Sequence, residues 1–229
     1  MLQLSVVLLW PTLPLVAEDS PPTRLTAIDK AQGWRVLFDG RTLDGWRGYR
    51  LNKLPAGWQV VEGALTQTGP GGDLASVDEF GNFEVIFEWK VSEGARSGVL
   101  YHVTEDFKTA AESGPEYQIV DNARHPDGRD PKTSAGACYA LYPPLRDASR
   151  PVGEWNEGRI VVKGNHVEHW LNGIEVVSYV LDSADWLSDV AASPFAKFKD
   201  FGTIDKGPLV LRNNGDRVAF RNIKARDLP

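Results

Sequence analysis

Cysteine is nearly absent from this chain. Cys138 is the one cysteine among 229 residues, which excludes an internal disulfide. The histidines are equally sparse. His102, His125, His166 and His169 are all there are, and no Cys/His cluster has zinc spacing. His166 and His169 have opposite parity in a strand, so they do not form a shared metal pair. No basic cluster occurs either. Lys and Arg total 25 against 31 Asp and Glu, for a net charge of −6, which argues against nucleic acid as a partner. No glycine fingerprint follows a strand and no P-loop is present, so no cofactor motif can be named. A long unbroken apolar run is missing too. Residues 1–17 carry no charged side chain, but Pro11 and Pro14 interrupt them, and the stretch is too short for a spanning helix. With Ala17 followed by Glu18-Asp19-Ser20-Pro21-Pro22, this segment reads as a secretory signal. Export to the periplasm or outside the cell is the expectation.

What is plentiful is turn chemistry and tryptophan. There are 22 Gly, 15 Pro and 8 Trp, with 42% hydrophobic residues. This suits one all-β domain of about 200 residues with a sizeable core. Residues 18–33 read as a linker with a short helical turn from Thr26 to Gln32, and 34–229 as the domain. Trp34 to Phe38 is a short strand closed by Asp39-Gly40. Trp58–Val61 and Ala64–Gln67 form a hairpin about Glu62-Gly63. From Phe83 to Lys90 the residues alternate: Phe83, Val85, Phe87 and Trp89 face a core, and Glu84, Ile86, Glu88 and Lys90 face outward or into a cleft. Ser97 to Val103 is the next strand, with Gly98, Leu100 and His102 on one face. Asn122 to Ser134 is a long polar loop holding His125, Asp127 and Asp130, and loops of that length in β domains are often functional. Three strands within 159–179 make a meander. Asp182 to Phe201 is a helical excursion interrupted at Pro194, and Leu209–Arg212 and Val218–Ile223 close the domain. A dozen short strands with turns between them predict a two-sheet antiparallel jelly-roll sandwich.

The stretch Gly114-Pro-Glu-Tyr-Gln-Ile-Val-Asp121 stands out. As a strand it places Glu116, Gln118 and Val120 on one face and Tyr117, Ile119 and Asp121 on the other. A carboxylate and an amide two residues apart on an otherwise apolar strand point to the floor of a polar cleft, or to a solvated edge strand. Trp155 and Trp170 are either core or a sugar platform.

Several segments together carry a family resemblance. They are Leu37-Phe38-Asp39-Gly40 with Leu43-Asp44-Gly45-Trp46, Glu79 to Glu84 with Glu88-Trp89-Lys90, and Ser97-Gly98-Val99-Leu100-Tyr101. Gly114-Pro115-Glu116-Tyr117-Gln118 with Asp121-Asn122, Ala135-Gly136 with Tyr139, and Gly153-Glu154-Trp155-Asn156 continue the series. His169 to Gly173 and Phe220 to Ile223 complete it. In this order, from about residue 34 to 228, the chain resembles the DUF1080 family, the 3-keto-disaccharide hydrolase domain. The resemblance implies a concanavalin A-like jelly roll, export from a bacterial cell, and cleavage or hydration of 3-keto-sugar derivatives. The chain departs from the family pattern at Arg96 (usually Asn), His102 (commonly Arg), Pro208 (usually His), Arg212 (usually Gln) and Asn214 (usually His).

A ketone at C3 of a sugar acidifies the C2 hydrogen, so a carboxylate can remove it and the C1 substituent leaves by β-elimination. Glu116 is the candidate base. Lys90, His102 and Arg212 are candidates for the positive partner of the enolate, against bland readings as a solvated lysine, a hydrogen-bonded sheet histidine and a salt-bridged arginine. His125 is the candidate acid. Glu88, Gln118, Asp121 and Asn213 are candidate substrate contacts, although Asp121, on the opposite face from Glu116 in a regular strand, reads more readily as a turn or loop brace. No cofactor is required; a divalent ion such as Ca²⁺ could sit among carboxylate and amide oxygens, though no spacing demands it. The partner expected is a carbohydrate. A non-catalytic, lectin-like sandwich is the other reading.

Overall fold

A computed structural model describes residues 23–229; the secretory-signal expectation for residues 1–17 lies outside them. A five-residue helix, α1 (Ala27–Ala31), leads in, held by a capping box between Thr26 and Asp29. The strands follow as β1 (Arg35–Val36), β2 (Trp46–Gly48), β3 (Trp58–Val61), β4 (Ala64–Gln67), β5 (Leu74–Phe80), β6 (Phe83–Val91) and β7 (Arg96–Leu100). Then come β8 (Glu116–Val120), β9 (Asn156–Lys163), β10 (His166–Leu171), β11 (Ile174–Val180), helix α2 (Ala184–Ala191), β12 (Gly207–Leu211) and β13 (Val218–Asp227). They form two antiparallel sheets. The larger runs β11-β10-β9-β6-β13-β4-β3, with β1 paired to the far half of β13; the smaller runs β2-β5-β12-β7-β8. This is the sandwich that the turn spacing predicts.

Local chemistry explains the hairpins. Glu62 and Gly63 both have positive φ, as do Asn172 and Gly173, the backbone of the tight turn whose twist matches the flanking strands. The period-2 pattern of β6 holds over its whole length. Phe83, Val85, Phe87 and Trp89 are buried between the sheets, opposite Val162, Ile160, Gly158 and Asn156 of β9. Each such aromatic contributes about 2–3 kcal/mol by leaving water. From the smaller sheet Val99, Tyr117, Ile119, Leu209 and Leu211 complete this core.

Two strand expectations need correction, and one strand went unread. The strand at Trp34–Phe38 shrinks to Arg35–Val36. Leu74–Phe80, which carries no alternation legible in sequence, is a strand in the smaller sheet. After β8, Cys138 makes isolated bridges to Tyr117 and Tyr142. The strand expected to reach Val103 stops at Leu100, and His102 takes a left-handed φ of 51°, which turns its side chain out of the alternation. The helical excursion is α2 followed by a 3-10 turn at Pro194–Lys197. No helix among the described residues is long and apolar enough to cross a membrane.

His169 lies in the core with no exposure. Its Nδ1–H donates to the Gly136 carbonyl at 3.1 Å, so Nε2 accepts from the Tyr101 hydroxyl at 2.8 Å. Burial lowers its pKa from 6.5 to about 4. Because the folded value lies below the unfolded one, the unfolded chain binds the proton first, and stability falls as pH drops from 6.5 toward 4. The loss attributable to this group reaches about 3 kcal/mol. Urea unfolding at intervals between pH 7 and pH 4 measures it. His169→Gln is expected to flatten that pH dependence, and an unchanged slope would show that His169 titrates normally.

Candidate functional site

The outer face of the smaller sheet carries a charged cluster built across three neighbouring strands. On β8, Glu116 stands opposite Leu100 of β7, and Gln118 opposite Gly98. On the other side of β7 the Arg212 amide donates to the Gly98 carbonyl at 2.9 Å, and Ser97 Oγ donates to the Arg212 carbonyl at 2.8 Å. Gly98 is the saddle between the two charged residues. A Cβ there would lie 2.1 Å from Glu116 Oε1, so only glycine lets the carboxylate lie across the strand. It does so, and accepts directly from Arg212 Nη1. Glu116 is 4% exposed on its side chain and Arg212 26%.

Further groups surround this pair. Asp73, just before β5, accepts from the Asn213 amide at 2.8 Å. Arg96 Nη1 meets Asp127 Oδ2 at 2.5 Å, and Gln118 Nε2 donates to the Thr133 carbonyl at 2.9 Å and to the same Asp127 oxygen at 3.5 Å. His125 caps the 3-10 turn at Pro126–Arg129, its Nδ1 accepting from the Asp127 amide at 3.0 Å, which leaves Nε2 as the proton-bearing nitrogen of the neutral ring. Tyr139 is close enough to act electrostatically on both Arg96 and Arg212.

Burial is the dominant influence on the two carboxyls of the cluster. It pushes the Glu116 carboxyl above the ordinary glutamate value, against the pull of Arg212 and Arg96, and it pushes Asp73 up in the same way. Arg212 is driven up by Glu116 and, more weakly, by Asp73. The cluster therefore holds a proton acceptor of raised affinity against a guanidinium that keeps its charge. Such a pair can take a proton from an acidified C–H while a fixed cation meets the oxygen that becomes negative.

A family profile for the 3-keto-alpha-glucoside-1,2-lyase-like domain matches residues 33–226. The chain belongs to that family. It is similar to the 3-keto-disaccharide hydrolase of Bacteroides thetaiotaomicron, 34% identical over an aligned length of 230, with 86% of this chain and 79% of that protein covered. It is also similar to a Parabacteroides distasonis protein solved at 1.70 Å, with 33% identity, a TM-score of 0.85, and coverage of 91% of this chain and all of that one. Carbohydrate-binding module CBM66 of Bacillus subtilis shares the fold at a TM-score of 0.53, 10% identity and 80% coverage of this chain against 96% of the module. Membership of the 3-keto-alpha-glucoside-1,2-lyase-like family makes this chain one of a carbohydrate hydrolase family.

The fold brings Glu116, Gln118, Arg212, Asn213 and His125 to one face and separates the other candidates from it. Glu88 and Lys90 project from the outer face of the larger sheet, where Glu88 pairs with Arg221 at 2.6 Å and Lys90 lies 4.7 Å from the Trp155 ring. Their alternation was legible, but the sheet to which their outer face belongs was not. His102 is 4% exposed and its Nε2 donates to the Gly81 carbonyl at 2.9 Å, packed edge-on to Phe83; its left-handed backbone removes it from the Glu116 face. Asp121 accepts from Gly94 and Ala123 amides at 2.8 and 3.0 Å and braces a loop. Within the face, the Asn213 amide is occupied by Gly69, Gln67 and Gly215, so it props the 67–72 loop rather than reaching for a sugar hydroxyl. Trp155 and Trp170 are neither core nor free platforms: Arg221 and Arg159 lie over them at 4.1 and 4.9 Å. Sequence reasoning missed Asp73, Arg96 and Tyr139 as neighbours of Glu116. Asp73 precedes an unread strand, and Arg96 stood only as a departure from the family pattern. Among the described residues no three His, Cys, Asp or Glu side chains gather as a metal site.

Gly98→Ala is expected to push the Glu116 carboxylate off the saddle, costing about 1–3 kcal/mol of stability. Chemical denaturation reads the loss; a Gly98→Ala chain as stable as the parent would mean that the carboxylate has room to move aside.

Proposed function

We propose that the chain cleaves 3-keto-glycosides by proton abstraction next to the ketone, with Glu116 as the base. The observation that carries this reading is the buried Glu116 carboxyl, raised in proton affinity and laid across Gly98 against Arg212. Glu116 takes the C2 proton. The electron pair moves toward C3, and the ketone oxygen takes up negative charge beside Arg212 and Arg96. The C1–O bond then breaks, and the leaving oxygen receives a proton, for which His125, beside Asp127 and Gln118, is the candidate acid. Water adding across the resulting enone, hydroxyl to C1 and proton to C2, makes the net reaction a hydrolysis. The order needs no pair of carboxylates set at glycosidase spacing. The name of the Bacteroides relative and the family description support this chemistry.

A second reading, sugar binding without turnover, is favoured by two observations: Arg212, where the family usually carries Gln, occupies the Glu116 carboxylate, and Asn214 stands at the position of the family histidine. Incubation with 3-keto-trehalose or a 3-keto-glucoside separates the two. Release of free sugar or a transient enone absorbance belongs to the enzyme; saturable binding without consumption belongs to the lectin.

Glu116→Gln is expected to lower kcat by about 10²–10⁴ with an unchanged circular dichroism spectrum. Undiminished turnover would remove Glu116 from the role of base. The pH profile gives an independent readout. Turnover should rise with pH as Glu116 ionises, with its midpoint above the ordinary glutamate value of 4.5. Arg212 pulls that midpoint down, so Arg212→Gln should move the limb to higher pH; a shift the other way, or none, would separate the profile from this carboxyl.

A further inference from the structure

The outer face of the larger sheet, on the opposite side of the sandwich from Glu116, contains a hollow of about 430 Å³, within the size range of small-molecule sites. Its origin is visible in the register. Lys90 of β6, Ala219 of β13 and Thr66 of β4 lie side by side across three strands. Two residues back along β4, Ala64 shares the face of Thr66. Ala64, Thr66 and Ala219 are small and buried and make a low floor. Lys90, Arg221 and Trp155 rise beside it as walls. Trp155 orders those walls: Arg221 Cζ lies 4.1 Å and Lys90 Nζ 4.7 Å from its ring, so the indole holds two cations near each other.

The charge of the hollow runs against that of the protein. The chain carries −6 overall, yet Lys90, Arg217 and Arg221 line this site with Glu62 as its one carboxylate. Arg221 has Glu88 at 2.6 Å. Lys90 has the indole and, among the described residues, no carboxylate within ion-pair distance. A neutral ligand would leave that positive excess unanswered, whereas an anion would answer it. The floor adds a second requirement. Two alanine methyls offer apolar contact, and Thr66 Oγ1, donating to the Ala64 carbonyl at 3.2 Å, keeps its lone pairs for an incoming hydroxyl. The occupant therefore has a negative group at one end and a hydroxylated, partly apolar body at the other, and a bare inorganic ion would fill only part of the space.

We propose that this hollow binds an anionic monosaccharide of the hexuronate class, at a site separate from the Glu116 cluster and independent of the reaction assigned there. Calorimetric titration of the whole chain at low salt, with sodium D-glucuronate, D-glucose and sodium sulfate as probes, tests it. Glucuronate is expected to bind saturably at one site and glucose at least tenfold more weakly. Lys90→Gln should weaken glucuronate at least tenfold with an unchanged unfolding midpoint, while Glu116→Gln binds it as the parent chain does. Any of four results would overturn the proposal: no saturable glucuronate binding, equal affinity for glucose, sulfate binding as tight as glucuronate, or a loss in Glu116→Gln matching that in Lys90→Gln.

Discussion

An ion pair laid across a glycine is the constraint on which the candidate site depends. Glu116 lies on β8 and Arg212 directly follows β12, the two strands that flank β7 and do not pair with each other. Their side chains meet because residue 98 has no Cβ to stand between them. Taking a carboxylate and a guanidinium out of water costs several kcal/mol each, which their attraction offsets only with good geometry and further hydrogen bonds. The flanking contacts supply that geometry. Ser97 and the Gly98 carbonyl fix the backbone of Arg212, and the Tyr139 amide donates to the Glu116 carbonyl at 3.0 Å. A pair held this firmly is weak evidence for stability and better evidence for a position that must be kept.

The loop from Asn122 to Tyr139 is the second support. It runs alongside β8, exchanging backbone hydrogen bonds with Glu116 and Gln118, so the edge strand of the smaller sheet is covered rather than open. The same loop carries Asp127, which ties Arg96 and Gln118 into one network. Covering the edge and enclosing the carboxylate are thus one structural act, and the burial that results is what raises the Glu116 proton affinity. The long loop answers to both needs, which accounts for its length.

The two faces of the sandwich are chemically distinct. The larger sheet presents alternating ion pairs, Glu84 with Arg159 and Arg226, and Glu88 with Arg221, over which Trp34, Trp155 and Trp170 are stacked by cations. The tryptophans so abundant in the composition are therefore divided. Trp46, Trp58, Trp89 and Trp186 are core, and others serve as platforms for the protein's own cations. Where the row of large side chains gives way to alanine and threonine, the hollow beside Lys90 opens.

The architecture was legible because it rests on local signals. Glu62-Gly63 and Asn172-Gly173 specify tight turns by their positive φ, and the aromatic alternation of Phe83 to Trp89 specifies a buried face by its period. The two-residue spacing of Glu116 and Gln118 placed both on one side of one strand for the same reason. Strand order was not legible, because pairing partners far apart in sequence leave no local trace. Lys90 and Glu88 therefore looked as eligible as Arg212 for the company of Glu116, until β6 proved to lie in the other sheet. His102 looked aligned with Gly98 until its backbone turned left-handed, a change that nothing in its neighbours announces. What the amino-acid order determined alone was the sandwich, its turns and the face to which each strand residue belongs, since these follow from sterics within a few residues. Which faces meet, and hence which cation a buried carboxylate finds, was decided by tertiary packing, because that contact spans 96 residues of chain.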